Sequence, residues 1–104
     1  MDSKFNLGQL QSQIDVWISS HGGYWPPLSM LGAVVEEVGE IARAINFIEG
    51  YKPKKEGENP VLGEEVADAV FALVCIANYY KINLSKELMN SINKYSKRDS
   101  NRFK

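Results

Sequence analysis

Cysteine is nearly missing from this chain. Cys75 is the one thiol among 104 residues, so no internal disulfide can form, which fits a reducing compartment. Histidine is as scarce, with His21 alone. That disfavours zinc, and it disfavours di-iron sites that need a Glu-x-x-His pair on two helices. Long apolar stretches are missing too: Ala69 to Ala77, nine residues, is the longest uninterrupted run, about half of a bilayer crossing. No charged-then-apolar leader opens the chain, so a cytoplasmic protein without a membrane partner is expected. There is no excess of either charge, the net value being −1, which argues against a stable nucleic-acid partner. Four prolines and 44% hydrophobic residues exclude a disordered chain and predict one folded domain over residues 1–104.

What is present is helical patterning. Asn6 is a suitable N-cap for a first helix reaching about Ser20, with Leu7, Leu10, Ile14, Trp17 and Ile18 as its apolar, core-facing stripe. Gly22-Gly23 ends it, and Tyr24-Trp25-Pro26-Pro27 leads into a second helix from about Pro27 to Glu49, stopped by Gly50. Leu31, Val34, Val35, Val38, Ile41, Ala42, Ile45 and Ile48 form the broad apolar face of that helix. Gly39 within it either admits another backbone or is merely tolerated, at roughly 1 kcal/mol against alanine. After a lysine-rich loop, Asn59-Pro60 has the form of an N-cap and first-turn proline for a third helix to about Tyr80. That helix is apolar on every side from Ala69 to Ala77, which predicts burial against a second subunit as well as its own neighbours. A fourth helix is expected from Leu84 to about Ser96. It is followed by a frayed basic tail, Lys97 to Lys104; from Lys94 to Lys104 there are five basic residues against Asp99. The expected fold class is all-α, a four-helix module completed by a homodimer or a dimer of dimers.

Two acidic stretches stand out from this pattern. Glu36-Glu37-Val38-Gly39-Glu40 and Glu64-Glu65-Val66-Ala67-Asp68, 28 positions further on, share the form Glu-Glu-Val-x-acid. Residues three or four apart share a helix face, so Glu37 pairs with Glu40, and Glu65 with Asp68. Glu36 points nearly opposite the apolar arc of its helix. In an antiparallel hairpin the four paired carboxylates converge. They then either stay apart in water or hold hard cations between them, because bare negative charges at close range repel. The acids at the start of the third helix also suit the helix dipole, but that does not account for acids in the middle of the second.

Oxygen-only ligands suit Mg²⁺ or Mn²⁺, and Ca²⁺ less well. Such a centre commonly serves phosphates: the cation neutralises their oxygens and acidifies water, and a nearby glutamate accepts the proton. Lys52, Lys54, Lys55, Lys94, Lys97 and Arg98 are candidates for holding outer phosphates. Trp25 and Tyr24 are candidates for the flat face of a base. A non-catalytic helical dimer, or a sensor that binds nucleotides without cleaving them, are the rival readings.

The double motif resembles that of the MazG-like, all-α nucleoside triphosphate pyrophosphohydrolases. The likeness extends through Trp25-Pro-Pro-Leu-Ser-Met-Leu, Glu-Glu-Val-Gly-Glu-Ile-Ala-Arg-Ala and Leu-Gly-Glu-Glu-Val-Ala-Asp-Ala-Val, over roughly residues 7 to 98. The resemblance implies a dimer or dimer of dimers. It also implies Mg²⁺-dependent cleavage between the α and β phosphates of a nucleoside triphosphate, releasing a monophosphate and pyrophosphate. Carried over, the metal ligands are Glu37, Glu40, Glu65 and Asp68, with Glu36 supporting them or activating water. Lys94, Arg98 and Arg102 match basic residues that such proteins place near phosphates.

Overall fold

A computed structural model describes residues 5–50 and 60–102 of the chain, with side chains described as far as residue 99. The elements are α1 (Leu7–Ser20), α2 (Pro27–Ile48), α3 (Leu62–Tyr79) and α4 (Leu84–Arg102), and no strand occurs among the described residues. Local chemistry sets most of these limits. Asn6 and Gln9 form a capping box, each side chain bonded to the other's backbone N–H, which satisfies two otherwise orphaned donors. Gly22, at φ 104°, lets Gly23 N–H reach back to the Ile18 carbonyl and close α1. The same closure ends α3, where Ile82 N–H meets the Ala77 carbonyl at 2.8 Å. Lys81 takes the left-handed position there, at φ 60°.

Two limits differ from the expectation. Helix α3 starts at Leu62, with Val61 as an extended N-cap lacking a side-chain bond, so Pro60 precedes the helix; Asn59 lies outside the described residues. Glu64 and Glu65 in the first turn complement its free N–H groups electrostatically. Helix α4 continues to Arg102, where a frayed tail from Lys97 was expected. The stretch contains no glycine or proline to break it, and Lys94 and Arg98 both lie over the Tyr95 ring, at 5.0 and 4.7 Å from its centroid.

Packing centres on α2 and α3, which run antiparallel: Met30, Ala33 and Glu37 of one and Asp68, Phe71, Ala72 and Cys75 of the other line a shared cavity. Met30, Ala44, Ala69, Val74, Cys75 and Ala77 are the buried core. Helix α1 lies on α3 and carries α4 on its flank. Trp17, expected in the core, is 51% exposed; the deepest residue of α1 is the polar Gln11. Its Nε2 donates to Asn78 Oδ1 and the Ile82 carbonyl, its Oε1 accepts from Leu84 N–H, and its carbonyl accepts from Asn78 Nδ2, all at 2.9–3.0 Å. This hub fastens α1 to the α3–α4 turn. Gln11→Leu, which keeps the bulk but orphans these partners, is expected to cost about 2–3 kcal/mol; denaturant unfolding measures it.

On α2 the inward residues are Met30, Ala33, Val34, Glu37, Ile41, Ala44 and Phe47, whereas Leu31, Val35, Val38 and Ile45 are exposed. The broad arc seen in the sequence is therefore two faces side by side, and Glu37 sits in the middle of the inner one. No atom lies within 4 Å of a Cβ built on Gly39, so no described backbone approaches there. Helix α3 also keeps one side open, with Val66, Val70 and Leu73 43–50% exposed.

Candidate functional site

The antiparallel pairing of α2 and α3 brings Glu37, Glu65 and Asp68 together, with one carboxylate oxygen from each inside a span of 4.8 Å. Glu37 and Glu65 are half-buried and Asp68 is exposed. Glu37 Oε2 is shielded from solvent and has no hydrogen-bond partner. Burial first, and then the charges of Asp68, Glu65, Glu40 and Glu36, push the Glu37 carboxyl above the ordinary carboxylate range. A cluster of three carboxylates containing a shielded, undonated oxygen suits a hard divalent cation. The cation would satisfy that oxygen and cancel the repulsion.

Glu40 takes another course. Its Oε1 accepts from Arg43 Nε at 3.0 Å on the exposed side of α2, outside the group of three. Glu36 and Glu64 are exposed. So of the acids singled out in the sequence, the fold itself gathers Glu37, Glu65 and Asp68. It leaves Glu36 and Glu40 flanking them on α2.

Glu37 and Asp68 also line one end of a cavity of about 410 Å³, a size that suits a small-molecule ligand. Five aromatic rings, Trp17, His21, Tyr24, Trp25 and Phe71, share its other walls with small and aliphatic residues such as Ile18, Met30 and Ala33. Trp25 is 63% exposed at the mouth. Trp17 and His21 are stacked with centroids 3.9 Å apart and 15° between planes, and Phe71 meets Trp17 edge-on at 6.0 Å. His21 Nδ1 lies 2.7 Å from the Trp17 carbonyl. A carbonyl only accepts, so Nδ1 carries the hydrogen. Burial pushes the thiol of Cys75, on the cavity floor, upward.

Sequence reasoning passed over Trp17 and His21 as site residues. Their spacing of four at the C-terminal end of α1, where His21 is the cap, was the signal available. Lys94 and Arg98 stand over Tyr95 on α4 and do not line the cavity. Lys52 lies outside the described residues.

The described chain is thus a small all-α unit with an acidic trio between α2 and α3 and a partly aromatic cavity beside it. Residues 26–103 match the MazG nucleotide pyrophosphohydrolase domain, and the chain belongs to that family. It is 38% identical over 99 residues to YpjD of Bacillus subtilis (strain 168), spanning 93% of this chain and 89% of that one. The crystal structure of Bacillus subtilis YPJD superposes with a TM-score of 0.80 at 35% identity, covering 90% of this chain and 98% of the other. A Bacillus-conserved MazG protein, a nucleotide pyrophosphohydrolase, gives 0.75 at 29% identity, covering 90% and 93%. The iMazG of Vibrio DAT 722 gives 0.62 at 28%, covering 86% and 99%. The chain is thus a nucleotide pyrophosphohydrolase of the MazG type.

Proposed function

We propose that this protein is an Mg²⁺-dependent enzyme, with Mn²⁺ a workable substitute. It would split the α–β anhydride of ribo- or deoxyribonucleoside triphosphates into a monophosphate and pyrophosphate. The observation that carries this reading is the trio Glu37, Glu65 and Asp68, within 4.8 Å, of which Glu37 and Asp68 line the cavity. These three residues would hold the cation, with Glu40 as a fourth ligand. Exposed ion pairs contribute only about 0–1 kcal/mol, so exchanging Arg43 for the centre costs Glu40 little. A bound Mg²⁺ would neutralise phosphate oxygens and make a nearby water more acidic.

The chain's own groups supply the rest. Trp25 offers its face to the base at the cavity mouth, as aromatic rings do for π-systems. Water attacks in line at the α–β junction. A P–O bond forms, the bridging P–O bond breaks, pyrophosphate leaves, and the proton passes to a nearby carboxylate, the role assigned here to Glu36. Lys52, Lys94 and Arg98 remain candidates for the outer phosphates, the latter two from a neighbouring subunit. Disposal of surplus or non-standard nucleotides in the cytoplasm is the role this chemistry fits.

A homodimer, or a dimer of two such dimers, is supported by what one chain leaves bare. Its accessible surface is 8130 Å², against about 5,900 Å² for a compact monomer of this mass. Its radius of gyration is 17.0 Å, against about 13 Å. Exposed Leu31, Val35, Val38 and Ile45 on α2, and Val66, Val70 and Leu73 on α3, are apolar area of the kind an obligate interface covers.

A panel of canonical and modified triphosphates, assayed with Mg²⁺ and with Mn²⁺, tests the reaction. Equal amounts of monophosphate and pyrophosphate are expected. Orthophosphate release, or binding without turnover, would refute it.

A further inference from the structure

The connection between α1 and α2, residues 21–26, carries Trp25 to the cavity through two glycines at positive φ, Gly22 and Gly23. Glycines leave such a segment many conformations, so something else must set the wall. Tyr24 of this connection reaches both α1 and α3. Its hydroxyl donates to Asp15 Oδ1 on α1 at 2.6 Å, and its ring packs edge-on against Tyr79 of α3, with centroids 6.3 Å apart. The Asn78 side chain, part of the buried Gln11 hub, is near enough to act on the phenol electrostatically. Burial and then the Asp15 bond push the phenol up to about 12, so it keeps its donor hydrogen throughout the neutral range. Asp15 itself lies outside the cavity, on an open polar groove beside Asn78 and Lys81.

We propose that Asp15 is a positioning residue: through the Tyr24 hydroxyl it holds the 21–26 connection, and Trp25 with it, where the base of the nucleotide is to lie. This rests on the nucleotide reading above. Asp15 has no access to the phosphates, so its effect must fall on binding of the base side and spare the hydrolytic step. The bond is charge-assisted and short, which makes it worth more than an ordinary surface contact.

The test uses the full chain with Tyr24→Phe, Asp15→Ala, the double variant and Asp15→Asn, whose amide oxygen still accepts the phenol hydrogen. Tyr24→Phe and Asp15→Ala are each expected to raise KM for triphosphates about tenfold with kcat changed less than about twofold. The double variant should match either single one, because both break one bond. Asp15→Asn should stay near the parent. Tryptophan fluorescence titrations with AMP, CMP, GMP and UMP, without triphosphate, should show the same loss of affinity. Unchanged KM in a parent-like active enzyme, a fall in kcat equal to the rise in KM, or losses that multiply in the double variant would overturn the tether. A parent protein that neither binds monophosphates nor hydrolyses triphosphates would instead remove the nucleotide reading on which it stands.

Discussion

Glu37→Gln should lose nucleotide hydrolysis by roughly three orders of magnitude while the metal-free protein becomes more stable. Both effects have one cause. Glu37 stands at the centre of the inner face of α2, with an oxygen shielded from water and without a hydrogen-bond donor, against Glu65 and Asp68. Removing its charge weakens the proposed cation site and relieves the repulsion among the clustered carboxylates. The pH dependence follows from the same group. Its carboxyl is raised above the ordinary value in the folded state, so the native protein binds more protons than the unfolded one between the two values. Stability of the metal-free parent then falls as pH rises through that window, and Glu37→Gln should flatten this contribution. Thermal melts of parent and variant in chelator, across mildly acidic to neutral pH, measure the difference. Parallel curves and retained turnover would rule out the central place given to Glu37.

Saturating Mg²⁺ or Mn²⁺ should raise the melting temperature of the parent by about 10–20 °C. A ligand at one hundred times its Kd stabilises the native state by about 2.7 kcal/mol. For a chain of this size each kcal/mol is worth about 4–8 °C. Asp68→Ala deletes the exposed member of the trio, so it should abolish most of that rise while leaving helix content unchanged by circular dichroism. Sodium chloride at matched ionic strength is the control, since an acidic face in open solvent gains only screening. Equal shifts with sodium and magnesium would mean that the carboxylates hold no ion. The two experiments separate the roles within the trio: Glu37 registers mainly as strain without metal, and Asp68 as affinity for it.

Much of the architecture was legible because it is local. Asn6 with Gln9, Gly22 and Gly50 mark helix ends within a few residues of themselves, and the chain folds accordingly. The start of α3 was misplaced: Asn59-Pro60 has the composition of a cap, whereas the helix begins one residue past an extended Val61. The reach of α4 was underestimated because a basic run resembles a tail, yet cation–π contacts to Tyr95 support it as a helix. Three of the four expected ligands meet in the fold. Glu40, equally well spaced in sequence, turns to Arg43 instead.

The amino-acid sequence by itself determined that there would be helices, where the first three of them stop, and that acids would stand in pairs on two of them, because caps, breakers and a 3.6-residue period act over single turns. Only the tertiary structure decided which side of α2 faces inward. A helix with two adjacent apolar faces has no single direction written in its period. Tertiary contacts likewise decided that Gln11 is buried, that Trp17 stays exposed, and that Asp15 holds Tyr24. Such choices depend on partners many residues away, as between Gln11 and Asn78, and no local pattern records the energy of a bond that exists only once the helices have met.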